Sequence, residues 1–202
     1  MNWKVAYERH NLCKEKEFKT IHEIESDGMP IISATVPGEL QLDLMREGVL
    51  PDLYYSENTL LAQQTENLHA WYFTTFDAED NQALKFYGID TVADIYVNGE
   101  LVKSVSNMFL EYEIDAPLKE KGNELIVHIK PICIEARKDR IPAISRTQPY
   151  NYPTLYGRKA AHSFGWDIMP RIVTSGIWRP VELVTKKADA ILDAYAYSCL
   201  TD

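Results

Sequence analysis

His162, Ser163 and Asp167 are the three residue types of a nucleophilic hydrolase triad, and they lie close together in the sequence. A triad is recognised by its geometry in space, however, and such coincidences along a chain are common. We therefore predict no triad here. Asp167 draws attention for another reason, because it directly follows Trp166 within an irregular stretch of residues 163–180, SFGWDIMPRIVTSGIWRP. That stretch holds two of the four tryptophans of the chain.

The motifs of several other common chemistries do not occur in the sequence. There is no Gly-x-Ser-x-Gly, Walker-type or Gly-x-Gly-x-x-Gly motif, so nucleophile-elbow hydrolysis, phosphate binding by a glycine-rich loop and dinucleotide binding have no support. The five histidines do not pair with one another or with cysteines at the spacing of zinc ligands; they are at positions 10, 22, 69, 128 and 162. We predict neither a cofactor nor a bound metal.

The charge and composition of the chain narrow the classes of partner. Its 202 residues are 46% hydrophobic, and the formal net charge is −9. Nucleic acids and anionic membranes are bound by clusters of Lys and Arg. Because this chain has a net negative charge, we expect neither as a partner. No apolar run has the length of a signal peptide or a membrane span, and we expect a cytoplasmic protein if Met1 is the native start. The odd number of cysteines, at positions 13, 133 and 199, predicts free buried thiols.

Most of the chain after residue 70 has the pattern of β-strands. Aromatic and β-branched residues, or alternating apolar residues, mark four stretches, which are 71–76 (WYFTTF), 93–102 (ADIYVNGELV), 124–129 (ELIVHI) and 177–184 (IWRPVELV). Asn98-Gly99 predicts a hairpin with a type I′ turn, because both central positions of that turn need a positive φ. We expect Trp71 and Trp178 to lie in the core.

The remaining patterns predict one short helix and one long irregular segment. The helix is expected near residues 39–47, where Leu40 and Leu44 are four apart and Gly48 supplies a stop. Residues 130–165 are too polar, and too rich in Pro, Tyr and Arg, for a core element, and such segments tend to be functional. Short strands separated by turns, with little helix, predict an all-β antiparallel sandwich, most simply a jelly roll.

Six motifs occur in the order found in the N-terminal sugar-binding domain of glycoside hydrolase family 2. They are VPGELQLDLMREGVLPDLYY, AWYFTTFD, ADIYVNGELV followed by NMFLEYEID, GNELIVHI, GRKAAHSFGWD and PRIVTSGIWRPVEL. The chain resembles this domain from about Val36 to about Thr185, and within the family it is most similar to the β-mannosidase branch. The resemblance implies a galactose-binding-domain-like jelly roll at the front of a longer enzyme, followed by an immunoglobulin-like sandwich and a (β/α)8 catalytic barrel.

The C-terminal residues, AILDAYAYSCLTD, begin a new alternating run that fits this organisation. We expect the jelly-roll domain over residues 1–187, and over residues 188–202 a linker and the truncated first strand of the immunoglobulin-like domain. The implied partners are therefore the remaining domains of the same polypeptide and a β-mannoside or related β-linked glycan.

The resemblance also implies an activity. Members of the family are retaining exo-glycosidases that use two glutamates, which must lie about 5 to 5.5 Å apart. Neither glutamate is expected in this chain. Asn123-Glu124 has the dipeptide of the family's acid/base, but it opens a strand after Lys121-Gly122, and we interpret it as part of a turn.

Asp167 is the principal site residue that the resemblance implies. In the family, the Asp of the Gly-Trp-Asp motif lines the pocket of the terminal sugar, where a carboxylate accepts hydrogen bonds from vicinal hydroxyls. Trp166 either borders this pocket or wedges between domains, and Asn58, in the loop YSEN, is a further candidate for a sugar contact. Arg158 and Lys159 precede the motif, and we interpret them as scaffold cations.

Two questions of function stay open at this point. β-Mannosidases continue Gly-Trp-Asp with Trp-Gly-Pro, whereas this chain has Ile168-Met169-Pro170, which leaves related specificities such as glucosaminidase open. The alternative to a hydrolase domain is a freestanding carbohydrate-binding, lectin-like module, because the jelly roll is also a lectin architecture. The unfinished strand at the C-terminus favours the hydrolase domain.

Overall fold

The computed structural model of the chain describes residues 1–13, 16–138, 151–187, 189, 191 and 194–200. Within these residues, nine strands form two sheets with antiparallel strand pairs. The strands are β1 (Trp3–Arg9), β2 (Ile31–Ala34), β3 (Leu68–Phe76), β4 (Gln82–Phe86), β5 (Val92–Val97), β6 (Glu100–Val105), β7 (Tyr112–Ile114), β8 (Asn123–Lys130) and β9 (Val181–Thr185). The larger sheet has the order β2-β1-β3-β8-β5-β6, and the smaller sheet has the order β7-β4-β9.

The main hydrophobic core lies between the two sheets. Tyr72 of β3 and Val127 of β8, from the larger sheet, belong to the same buried cluster as Leu84 and Phe86 of β4, from the smaller sheet. Each strand contributes alternate residues to this layer, as expected when two sheets pack face to face. The predicted all-β sandwich is confirmed.

The outer face of the larger sheet is also buried. Trp71 and Phe73 alternate with the inward-facing residues of β3, and they pack with Ile24 in a second buried cluster. The chain before β3 supplies much of this cover, with the short helices α1 (His10–Cys13) and α2 (Ile21–Ser26). The N-terminal segment therefore forms a further layer on the outer face of the larger sheet.

The predicted helix is confirmed as α3 (Leu40–Arg46), which ends before Gly48 at φ +72°. A further short helix, α4 (Ile132–Glu135), follows β8 directly. Four 3-10 helices complete the described elements: Asn58–Thr65, Ala136–Lys138, Tyr152–Leu155 and Ala161–Phe164.

The segment 130–165 takes a larger part in packing than its composition predicts. Ile132, Cys133 and Phe164 form a separate buried cluster with Val173, so the expectation that the segment holds no core element is wrong for these residues. Ile132 and Cys133 are neighbours in the sequence, and only the fold brings them together with Phe164. Residues 139–150 of this segment lie outside the described residues.

The predicted hairpin joins β5 to β6. Asn98 and Gly99 have φ values of +51° and +88°, as a type I′ turn requires, so this prediction is confirmed. The strand predicted over residues 177–184 is shorter than expected, because β9 begins only after Pro180. Proline has no N–H to donate to a strand ladder, which accounts for the later start.

The tryptophans and cysteines divide between core and surface. Trp71 is fully buried, as predicted, whereas Trp178 is only half-buried and the expectation of a core position is wrong. Cys13 and Cys133 are free, buried thiols, as predicted, but Cys199 is exposed.

The described residues of the C-terminal tail, 189, 191 and 194–200, are exposed and belong to no helix or strand. The other residues of the tail lie outside the described residues, so the expected domain boundary between residues 187 and 188 stays a prediction. None of the described helices has the length and apolar character needed to cross a bilayer.

Candidate functional site

Asp167 lies at the tip of a tight turn, residues 166–169, which we call the Asp167 turn. The N–H of Trp166 donates to the carbonyl of Met169 at 3.1 Å, and the N–H of Met169 donates back at 3.1 Å. Asp167 and Ile168 form the loop between them and are exposed, as is Trp166, whose side chain is 73% exposed. Among the described residues no donor binds the Asp167 carboxylate, so its oxygens are open to an external donor.

The base of the Asp167 turn is firmly anchored. The guanidinium of Arg171 forms a two-point ion pair with Glu66, with Nε–Oε1 at 2.6 Å and Nη2–Oε2 at 2.7 Å. Arg171 also donates from Nη1 to the carbonyl of Phe164 at 3.2 Å. The chain enters the turn through Gly165 at φ +95°, a backbone conformation that residues with a Cβ rarely adopt. A rigid base therefore presents an exposed carboxylate.

Asn58 begins the 3-10 helix that leads to Glu66. Its Nδ2 donates to the carbonyl of Asp52 at 2.8 Å, so the amide nitrogen stabilises its own loop. The next residue, Thr59, lines the same cavity as Met169 of the Asp167 turn. A sugar contact from Asn58 stays a prediction.

A cavity of about 550 Å³ opens beside the Asp167 turn. Its walls are mostly apolar and include Leu42, Leu53, Tyr54, Met108, Phe109, Met169, Pro170, Ile172 and Trp178. The polar side chains of its lining are Glu39, Gln41, Thr59, Asp90, His162, Ser163 and Thr174. This volume falls in the range of small-molecule sites, about 300 to 1,000 Å³.

A buried ion pair lies beside this cavity, and its Asp90 is part of the cavity lining. Lys159 Nζ contacts Asp90 Oδ2 and also donates to Thr174 Oγ1 at 2.9 Å and to the Thr174 carbonyl at 3.0 Å. Thr91 and Thr174 donate their hydroxyl protons to Asp90, which is 2% exposed. Lys159 is thus a scaffold cation, as the sequence predicts. The oxygens of Asp90 are fully used, so this carboxylate is not available as a nucleophile.

Glu39 is the second carboxylate of the cavity. It precedes α3, is half-buried, and makes no side-chain hydrogen bond to cap that helix. Burial raises the pKa of Glu39, the nearby Asp90 carboxylate raises it further, and Lys159 opposes the shift. Glu39 therefore has the poorly solvated environment typical of residues in binding sites.

A separate histidine chain lies on the outer face of the larger sheet. His10 Nδ1 is 3.0 Å from His69 Nε2, and His69 Nδ1 is 2.8 Å from His128 Nε2. Burial, together with charge on a neighbouring histidine, lowers the pKa of His69 to about 4 and that of His128 to about 3. In the part of the chain that the structure describes, no group of three or more His, Cys, Asp or Glu is arranged to hold a metal ion.

Sequence reasoning missed Glu39 and Asp90 as members of the site. Asp90 and Lys159 are 69 residues apart, and no local motif connects them. Glu39 falls inside the predicted helix region, where an acidic residue is ordinary. Only the fold brings these carboxylates to one cavity.

Comparison with known proteins gives a consistent result. The family described as glycosyl hydrolase 2 galactose-binding domain-like matches residues 14–179. β-Mannosidase B of Thermothelomyces thermophilus is 29% identical over 83% of this chain, and β-mannosidase B of Aspergillus terreus is 31% identical over 89%. This chain spans only 20% and 22% of the length of these two relatives.

Solved structures show the same fold. A β-D-mannosidase from Dictyoglomus thermophilum matches 90% of this chain at 33% identity with a TM-score of 0.72, and 22% of that protein is covered. An exo-chitosanase from Amycolatopsis orientalis matches 63% of this chain at 19% identity with a TM-score of 0.51, and 16% of that protein is covered. The second likeness concerns the fold alone.

Proposed function

Because the chain belongs to the glycosyl hydrolase 2 galactose-binding domain-like family, we propose that it is the N-terminal sugar-binding domain of a retaining, exo-acting, β-mannosidase-like glycoside hydrolase. In this role it forms one wall of the pocket that holds the terminal sugar. The β-mannosidases among its relatives support this substrate class, and the small share of their length that the chain spans supports a role as one domain of a longer enzyme. The family predicted from the ordered motifs is confirmed.

The observation that carries the proposal is the Asp167 turn. An exposed carboxylate, with no internal donor among the described residues, stands on a base held by the Arg171–Glu66 ion pair. Vicinal hydroxyls of a sugar are suitable donors for its two oxygens, and hydrogen bonds to a charged acceptor are the strong ones. A rigid base limits the entropy lost when the sugar binds.

This domain supplies binding and orientation, and the paired glutamates of the retaining mechanism belong to the proposed barrel. Two carboxylates of this chain make structural contacts instead. Asp90 is held by Lys159 and two threonines, and Glu124 of β8 accepts the N–H of Ile21 at 3.1 Å. The sequence interpretation of Asn123-Glu124 as part of a turn is wrong, because both residues belong to β8.

The proposed partners within the polypeptide are an immunoglobulin-like sandwich, beginning near residue 188, and a catalytic barrel. The exposed apolar side chains of Trp166 and Ile168, 73% and 88% exposed, support docking of the Asp167 turn against another domain. Trp166 also lines a second, smaller cavity of about 380 Å³, so both roles predicted for it remain proposals. A cytoplasmic location stays a prediction.

A freestanding carbohydrate-binding module is the second candidate. Tyr54 and Tyr55 are 83% and 71% exposed, and neighbouring exposed aromatics are typical of sugar-binding platforms. Reading the gene beyond the codon for Asp202 separates the two functions. An open frame continuing through a second sandwich into a barrel supports the hydrolase domain, whereas a stop codon there supports the module.

A further inference from the structure

We propose that the cavity beside the Asp167 turn binds a small ligand with an apolar body and one ammonium group, and that Glu39 binds the ammonium. Asp167 does not line this cavity, so the inference is independent of the sugar-binding proposal. The two can fail separately.

The walls of the cavity suit an apolar body. Its volume of about 550 Å³ is ample for a substituted aromatic ring, and Tyr54, Phe109 and Trp178 contribute aromatic surface to its lining. Tyr54 and Phe109 are 83% and 56% exposed, and a ligand in the cavity that contacts them would remove apolar surface from water. Mostly apolar walls with a few polar groups are typical of small-molecule sites.

Most of the other strongly polar groups of the cavity already have partners. The amide of Gln41 donates to Thr65 Oγ1 at 2.8 Å, and the hydroxyl of Ser163 donates to the carbonyl of Ala160 at 2.6 Å. The carboxylate of Asp90 is held in the ion pair described above. Across the described ranges, no donor contacts the carboxylate of Glu39. The carboxylate of Glu39 is therefore open to a donor from a ligand.

The charges of the cavity favour a cation. The carboxylates of Glu39 and Asp90 line the cavity, and Asp90 is paired with the buried ammonium of Lys159. One negative charge is left over in a mostly apolar setting, and the raised pKa of Glu39 reflects its incomplete solvation. An ammonium compensates that charge and donates hydrogen bonds, whereas a neutral hydroxyl compensates no charge and an anion is repelled.

Calorimetric titration of the 202-residue chain with benzylammonium tests the proposal, with benzyl alcohol as the neutral analogue of the same shape. At about pH 7 the amine is protonated, so the two probes differ in charge and have similar shapes. We expect saturable one-to-one binding of benzylammonium, about tenfold or more tighter than that of benzyl alcohol. No saturable binding, or equal affinities for the two probes, would overturn the proposal.

Three variants locate the interaction. Glu39→Gln should weaken benzylammonium binding about tenfold and leave benzyl alcohol unchanged, because it removes the charge and keeps the shape. Glu113→Gln, an equal charge change at an exposed position of β7, should alter neither affinity. Phe109→Ala should weaken both probes, because it removes part of the wall. Benzylammonium binding that survives Glu39→Gln unchanged refutes the role of Glu39. If that variant does not fold, the comparison of the two probes and the Phe109→Ala variant test the proposal instead.

Discussion

Asp90 and Lys159 connect three separate segments around the cavity. Asp90 lies just before β5, Lys159 lies ahead of the Asp167 turn, and Thr174 follows that turn. The side chains of Lys159 and Asp90 are 0% and 3% exposed. Taking both charges out of water is unfavourable, so the pair depends on the surrounding hydroxyls and on its own geometry.

Lys159→Met should lower the free energy of unfolding by about 3 to 5 kcal/mol, because it leaves the buried Asp90 carboxylate without its cationic partner. Urea unfolding of the chain measures this loss. The double variant Lys159→Met with Asp90→Asn should recover part of it, since no unpaired charge remains. A loss below about 1 kcal/mol in the single variant would show that the pair is solvated in solution.

The histidine chain predicts how stability depends on pH. The folded-state pKa values of His69 and His128 are lowered to about 4 and about 3, below the ordinary value of 6.5. At pH values between the lowered folded-state pKa values and 6.5, the unfolded chain binds more protons than the folded chain. The stability contributed by the neutral imidazoles is therefore complete above about pH 6.5 and falls as the pH decreases toward 4.

Urea unfolding at several pH values between 7 and about 4 tests whether stability falls as the pH decreases. The chain should lose stability across the interval, and His128→Gln, which removes one titrating group, should lose less. Lys130 and Asp94, which lie near His128 and form an ion pair at 2.6 Å, are unchanged in this comparison. Equal slopes for the chain and the variant would contradict the assignment.

The packing of the N-terminal segment on the outer face of the larger sheet depends on how α2 begins. Thr20 accepts the N–H of Glu23 at 3.3 Å, and Glu23 accepts the N–H of Thr20 at 3.1 Å, which together form a capping box. α2 in turn places Ile24, which is fully buried, against the larger sheet.

Thr20→Ala should destabilise the chain by about 0.5 to 2 kcal/mol, because one N-terminal N–H of α2 loses its acceptor. Thermal or urea unfolding measures the change. Ser33→Ala, at an exposed position of β2, is the matched control and should stay within about 0.5 kcal/mol. A capping variant that behaves like the control would show that packing alone holds α2.

Some turns and helix ends of this fold could be predicted from residues with strong local backbone preferences. Asn98-Gly99 and Gly48 fix their turns through their own backbone preferences, so the hairpin and the end of α3 could be predicted. The capping box at Thr20 and Glu23 has the local sequence pattern Thr-x-x-Glu, so the start of α2 could also be predicted. The pairing of Asp90 with Lys159 left no such signal, because long-range contacts depend on the whole fold.

At the scale of the whole molecule, the chain is proposed to form only one wall of a sugar pocket. The isolated chain should therefore show no turnover of an aryl β-mannoside, because the paired glutamates are proposed to lie elsewhere in the enzyme. It should also bind free mannose weakly or not at all. Detectable turnover by the pure chain contradicts the first expectation, and micromolar affinity in calorimetry favours the lectin-like module.

If Asp167 binds the terminal sugar as proposed, kcat/KM of the complete enzyme depends on its carboxylate. Asp167→Ala should lower kcat/KM about 10- to 100-fold, the equivalent of about 1.5 to 3 kcal/mol for a hydrogen bond to a charged group. Asp80→Ala, an exposed carboxylate between β3 and β4, should leave kcat/KM unchanged. An Asp167→Ala enzyme with the kcat/KM of the wild type would remove Asp167 from the sugar pocket.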